Sequence, residues 1–371
     1  MSASLERDLN MEVVGELYDM SLLHSSPHGR IAYKRAAQAV WRLEEPLEVW
    51  AAQRPVREIR HLGPATERIV LEHLEHGASA TLERAIEKSG ARAKVEEARK
   101  HRTNFLSRAQ ALRILGAPLP AVGRTEVLGD LQMHTEWSDG AESIAQMAEA
   151  GRLRGYAWIG VSDHSYGLKI AGGMSMDDAV RQRREIERLN AEWSGSFRVF
   201  HGIEANIPAE GGVDMTPEET AVFELVLAAP HSKLRKAEDQ TERMLAAVRH
   251  PAVRVLAHPR GRMYSRQGVL ARWEEVFAEA SHHDVAIELD GDPYRQDLDH
   301  VLARRALEAG CSFALDSDAH SGRQLMYSEY ALAHARMAGI PTDRVVNTWP
   351  AARLRAWCAR EGRYPARARF T

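Results

Sequence analysis

Seven short apolar runs, each ending in or followed at once by a histidine, aspartate or glutamate, constrain this chain more than any other feature. They begin at Val127, Ala157, Arg198, Phe223, Val253, Asp284 and Ser312. The runs are too continuous for strands with one wet face, so they read as strands buried on both sides of a parallel sheet. Stretches of helical periodicity, 141–153, 176–193, 237–249 and 298–309, lie between them. Strand–helix alternation implies βαβ units, and seven of them predict a barrel or a distorted version of one.

In such barrels the active site assembles at the C-terminal ends of the strands. There this sequence places His134, then Asp163 and His164, then Glu204, His231, His258, Asp290 with Asp292, and finally Asp318 with His320. One histidine at a strand end is commonly structural; histidines at five of the seven ends are hard to obtain by chance. Imidazole and carboxylate suit zinc, manganese or iron, and this many donors exceed the needs of one tetrahedral ion. The expectation is therefore two or three divalent cations, which at roughly 3.5–4 Å spacing clamp a phosphoester and acidify water. A Gly-x-Ser-x-Gly elbow and a phosphate-binding P-loop are both missing, so serine hydrolase and NTPase readings lack support, as does a nucleotide cofactor.

The first part of the chain reads differently. Leu17, Met20 and Leu23 share one helical face, and Ala36, Ala37, Val40 and Leu43 share another. Segment 116–124, GAPLPAVGR, carries the prolines and glycines of a linker. The expected organisation is a helical domain over 1–115, a linker over 116–128 and an α/β domain over 129–371. The formal net charge is −3, so a basic surface would have to be local. Segment 91–124 supplies one, with eight basic side chains against two glutamates. The two cysteines, Cys311 and Cys358, are far apart, which argues against a disulfide scaffold and fits a reducing cytoplasm. The N-terminus lacks a signal-peptide core and no run is long enough to span a bilayer, so a cytoplasmic protein without a membrane partner is expected.

DLQMHTEWSDG from Asp130, VSDHS from Val161, HGIE from His201, APHS from Ala229, AHPRGR from Ala257 and DSDAH from Asp316 resemble, in order, the motifs of the polymerase and histidinol phosphatase (PHP) domain. LKIAGGMS from Leu168 and ELDGDPYRQDLD from Glu288 are similar to the subgroup at the C-terminus of bacterial family X DNA polymerases. The resemblance spans about 128–348. It implies a distorted (βα)7 barrel, up to three metals and phosphoester cleavage, with manganese-dependent 3'-5' exonuclease activity in that subgroup. It also implies that His134, Glu204 and Asp318 hold one metal, that Glu204 and His231 serve a second, and that His164, His258 and His320 hold a third. Asp130 and Asp163 would orient ligands. Arg262, Arg295 and Lys169 would hold substrate phosphate, Arg262 at the reacting group. The chain departs from the motif at Gln132, where the family has histidine.

HGRIAYKRAAQAVWRL from His28 resembles the helical domain of the same polymerases, and 56–77 looks like a helix-hairpin-helix. Its DNA-binding turn is expected at Gly63-Pro64-Ala65, with Gly63 and Ala65 facing phosphate. The stretch before Asp130 leaves no room for a polymerase palm, so nucleotidyl transfer is not expected. A metal-dependent phosphoesterase acting on nucleic acid ends is the leading expectation. A small-molecule phosphatase and a non-catalytic nucleic acid-binding protein are the alternatives.

Overall fold

The computed structural model describes residues 7–193 and 195–359, which separate into two compact units, Met1–Ala117 and Pro118–Thr371.

The first unit is all helix: α1 (Leu9–Leu23), α2 (Pro27–Trp41), α3 (Leu47–Gln53), α4 (Pro64–His76), α5 (Ala80–Ser89), α6 (Arg92–Lys100) and α7 (Arg108–Gly116). The caps are local. Asp8, Ser26, Ser79 and Ser107 each accept a backbone N–H from the first turn that follows. Leu17 of α1 and Ala36, Ala37 and Val40 of α2 are fully buried, as the periodicity predicts, but Met20, Leu23 and Leu43 are only partly buried, and Val13 and Val14 complete the buried face of α1. The segment 81–113 is three helices, α5 to α7, broken at Gly90 in the left-handed conformation and again after Lys100.

The second unit alternates β1 (Gly129–Asp130), α8 (Ile144–Leu153), β2 (Trp158–Val161), α9 (Met176–Trp193), β3 (Arg198–Asn206), α10 (Pro217–Thr220), β4 (Leu225–Ala229), α11 (Thr241–Val248), β5 (Val253–Leu256), α12 (Trp273–His283), β6 (Ala286–Asp290), α13 (His300–Glu308), β7 (Phe313–Asp316), α14 (Ser328–Ala338) and α15 (Ala351–Cys358). The strands form one parallel sheet in sequence order, with a single register shift, between Val226 and Leu227 where β4 pairs with β5. All seven predicted runs are strands. Helices α12, α14 and α15 went unread because their apolar positions are diluted by charge or fused to the runs.

The sheet curls into a nearly closed barrel. Met133 bridges Ala319 in parallel between the first and last strands' extensions. Asn347 stitches the remaining seam: its Nδ2 donates to the carbonyls of Gly129 and Leu315 and to Asp316, and its Oδ1 accepts the Leu315 N–H.

Alternation along the strands sorts side chains between inside and outside. Ile159, Val161 and Val199 pack outward on Ile144 and Met147 of α8 and Ile186 of α9. Trp158, Phe200, Leu225, Leu227, Ala286 and Ala314 pack inward, where Trp349, Leu354 and Trp357 cover them. The inward positions further along each strand are polar: Ser162 and His164, Glu204, His231, Glu288 and Asp290, Asp316 and Asp318. A dry floor and a polar mouth follow from one period of two.

Candidate metal centre

Glu204 lies at the middle of the mouth, fully buried on β3. Its Oε1 is 2.8 Å from His258 Nε2 and 3.2 Å from His231 Nε2. Its Oε2 is 3.2 Å from His164 Nδ1 and 3.3 Å from His134 Nε2. Each carboxylate oxygen thus faces two imidazoles. Burial opposes ionisation of Glu204, but the histidines outweigh it and hold its carboxyl well below the usual range.

Two further clusters flank this one. His134 Nε2 also lies 3.0 Å from Asp318 Oδ1, so His134, Glu204 and Asp318 converge. On the other side, Asp139 Oδ1 lies 3.5 Å from His164 Nε2 and 3.4 Å from His320 Nε2. The His320 ring is pushed up to about 9, burial being outweighed by the Asp139 hydrogen bond and the Asp318 charge. His258 and Asp318 both hold positive φ, at 25° and 51°, a strained conformation for residues with a side chain that marks sites where geometry is imposed.

The donor set fits divalent cations. His134 Nδ1, His164 Nδ1, His258 Nδ1, Glu204 Oε2 and both amide atoms of Gln132 are buried without a hydrogen-bond partner among the described residues. Buried polar atoms in native proteins are almost always satisfied, so this concentration in one mouth marks where ions belong.

The structure brings together all seven residues the sequence offers as ligands but partitions them differently. His258 faces Glu204 with His231, and it does not stand with His164 and His320. The place beside His164 and His320 belongs to Asp139, which the sequence reading passed over. Asp139 returns to His134 because the loop after β1 curls tightly. Gly140 donates its N–H to the Thr135 carbonyl, and a Cβ there would meet the His134 carbonyl at 2.4 Å. The Ser138-Asp139-Gly140 turn was the available signal. Asn206 was also missed; its Oδ1 lies 3.2 Å from His231 Nδ1 and orients that ring.

The residues expected to act or to orient ligands are placed as follows. Asp163 accepts from Thr135 N–H (2.7 Å), Thr135 Oγ1 (2.6 Å), Ser138 Oγ (2.5 Å) and Gln182 Nε2 (2.6 Å). It therefore fixes the loop that carries Asp139, and none of these partners is an imidazole. Asp130 accepts backbone N–H groups from Gln132 and Ser317 below the mouth, and burial and then Asp316 raise its carboxyl well above the usual range.

Arg262 is 3% exposed, pairs with Asp299 at 3.1 Å and donates to the Arg295 carbonyl at 2.9 Å. A guanidinium so enclosed is a strut, which corrects the expectation that it grips substrate and reaches the reacting group. Arg295 does face the mouth, 3.3 Å from Asp318 Oδ2 and 3.6 Å from Asp290 Oδ2. Lys169 is exposed on a short 3-10 turn, 169–171, after His164.

The helical unit also corrects two expectations. The turn before α4 places its left-handed residue at His61, φ 68°, two positions before Gly63. Gly63 caps α4, and its N–H already donates to Thr66 Oγ1 at 2.9 Å, while Pro64 has none to offer. Ala65 is exposed in the first turn. The basic run is largely neutralised: Arg99 and Arg102 pair with Asp19, Arg92 with Glu83, Lys100 with Glu97, Arg108 with Glu44 and Arg124 with Glu329. Among the described residues no helix is long and apolar enough to cross a membrane.

No protein-family profile matches the chain. Among curated proteins it is 34% identical over 224 residues to the DNA polymerase/3'-5' exonuclease PolX of Bacillus subtilis, covering 60% of this chain and 39% of that protein. It is 28% identical over 237 residues to the probable phosphatase YcdX of Escherichia fergusonii, covering 61% of this chain and 91% of that one. It is 26% identical over 231 residues to a probable phosphatase of Thermoanaerobacter, covering 59% and 89%. Among solved structures it matches histidinol phosphate phosphatase of Lactococcus lactis, complexed with zinc, L-histidinol and phosphate, at TM-score 0.44 and 16% identity over 58% of this chain and 94% of that one.

Proposed function

We propose that this chain, which carries a PHP domain, is a metal-dependent phosphoesterase that hydrolyses phosphodiesters at nucleic acid ends. One observation carries the reading: both oxygens of Glu204 are shared between pairs of imidazoles, the arrangement of a carboxylate that bridges cations.

His134, Glu204 and Asp318 would hold one ion, Glu204, His231 and His258 a second, and Asp139, His164 and His320 a third. When bound, divalent ions there would supply charge for the phosphoryl oxygens and a lowered pKa for water, so no protein nucleophile would be required. The chain's own residues do the rest. Asp163 and Gly140 hold the Asp139 loop in place, and Asn206 fixes the His231 ring. Arg295 offers a guanidinium from the side of Asp318, where a phosphate oxygen can replace one carboxylate contact. The exposed Lys169 would supply a second cation to the substrate strand.

The identity to a protein named as a 3'-5' exonuclease supports a nucleic acid substrate. The probable phosphatases, matched over about nine-tenths of their length, support a monoester as the second reading. For the helical unit, the exposed first turn of α4 at Ala65 is the remaining place for a backbone phosphate contact.

The test combines metal analysis with turnover of bis-p-nitrophenyl phosphate, p-nitrophenyl phosphate and labelled single-stranded DNA. Diesterase activity with manganese, and shortening of the DNA from its 3' end, is the expected result. Monoesterase activity alone moves the assignment to the phosphatases. No turnover with any divalent ion, together with salt-dependent DNA binding, leaves a binding protein.

A further inference from the structure

Gln132 is fully buried, and neither Oε1 nor Nε2 of its carboxamide has a hydrogen-bond partner among the described residues. Both ends of the amide gave up water on folding, which is unfavourable unless something replaces it. The backbone settles which way the side chain is carried. Met133 packs outward against Ile144 and Met147 and bridges Ala319, and Ser162 Oγ accepts its N–H at 3.2 Å. In extended chain, neighbours project to the opposite face, so Gln132 and His134 are both carried to the barrel interior. There His134 Nε2 meets Glu204 and Asp318.

We propose that Gln132 gives its amide oxygen to the cation held by His134, Glu204 and Asp318, and thereby biases that position toward a hard, oxygen-seeking divalent ion of the manganese class rather than zinc. The inference rests on the reading that the mouth holds divalent cations. Its chemistry is that of the donor set. With Gln132 the position offers one imidazole, two carboxylates and one amide carbonyl. Carboxylate and carbonyl oxygens suit magnesium and manganese, whereas imidazole raises affinity for zinc. An amide oxygen carries no formal charge and cannot be lost to protonation, so it adds a donor to this crowded acidic mouth without adding repulsion. The bound ion would also satisfy the orphaned oxygen.

The experiment is metal titration, with no turnover needed. Chelator-treated protein, Gln132→Met and Gln132→His are titrated with manganese, read by the EPR signal of the free ion, and with zinc, read by competition with an indicator. Methionine keeps length and removes both polar atoms, so the metal-free protein is expected to melt no lower than the parent. Gln132→Met should weaken manganese binding at one position by about 10- to 100-fold. Gln132→His should raise the zinc-to-manganese affinity ratio by about tenfold or more. A Gln132→Met protein that binds both ions like the parent overturns the inference while leaving the cation reading standing. A parent that binds neither ion ends both. Should Gln132→Met fail to fold, Gln132→His decides alone, and an unchanged ratio overturns the inference.

Discussion

Glu204 Oε1 lies 2.8 Å from Nε2 of His258, on the strand-end histidine that the sequence would have assigned elsewhere. The same oxygen serves His231 at 3.2 Å, so the two histidines and one carboxylate oxygen form a unit. Replacing either ring should empty the same cation position. His258→Ala and His231→Ala are expected to cut hydrolysis by about 100-fold or more and to lower metal content by the same one equivalent, with unchanged far-UV circular dichroism. The double variant should lose no more metal than either single one. Loss of two equivalents would separate the pair.

Asp139 answers to a different cluster. Asp139→Ala should remove the ion shared with His164 and His320 and leave the one at His231 and His258 in place. Metal stoichiometry in Asp139→Ala, His258→Ala and their combination checks this: the losses should add, because the two sites share only Glu204 through His164.

The two arginines should part company. Arg295→Met is expected to raise KM for phosphoesters by about tenfold, since Arg295 faces the mouth. Arg262→Met leaves Asp299 paired with Arg260 but removes a buried ion-pair partner, and should cost about 1–3 kcal/mol of stability. Denaturant midpoints and steady-state kinetics on both variants distinguish the roles; a KM effect confined to Arg262→Met would reverse them.

The metal-free protein should be pH-sensitive through His320. Its folded value, about 9, lies above the ordinary 6.5, because Asp139 and Asp318 outweigh the burial that opposes charging. A raised histidine stabilises the fold fully below its unfolded value and loses that contribution as pH rises through its folded one. The melting temperature of chelated protein should therefore fall between about pH 6.5 and pH 9 relative to His320→Gln. Cation uptake must displace the same proton, so affinity should climb across that window.

His61 occupies a left-handed position with a β-carbon, φ 68°. His61→Gly should be neutral or stabilising by up to about 1 kcal/mol, while His61→Val should destabilise by about 1–2 kcal/mol. Thermal unfolding of the two variants gives the sign directly.

The barrel was legible because each strand announces itself locally. A run such as Ala157–Asp163 carries its own apolar content, its own length and its own polar end, and none of these depends on a distant residue. Which residues stand at the rim follows from the same period of two, so His134, His164, Glu204, His231, His258, Asp318 and His320 could be named before any coordinate. The helical unit was legible to the same degree, through faces such as Ala36, Ala37 and Val40.

How those donors divide among cations is not a local property. It depends on which strand ends are neighbours around the ring and on how far each loop turns back. His258 reaches Glu204 through a positive φ, and Asp139 reaches His164 and His320 because Gly140 lets its loop close on His134. Arg262 reads as a phosphate ligand in sequence and becomes a strut only when Asp299, 37 residues on, folds against it. The basic run over 91–124 likewise loses part of its excess to Asp19 and Glu83. Sequence by itself determined the strands, their order of polar ends and the kinds of donor available, because short-range periodicity and side-chain chemistry suffice for that. Tertiary structure alone decided partnership, because a contact between Glu204 and His258 is made by the closure of a barrel and not by either strand.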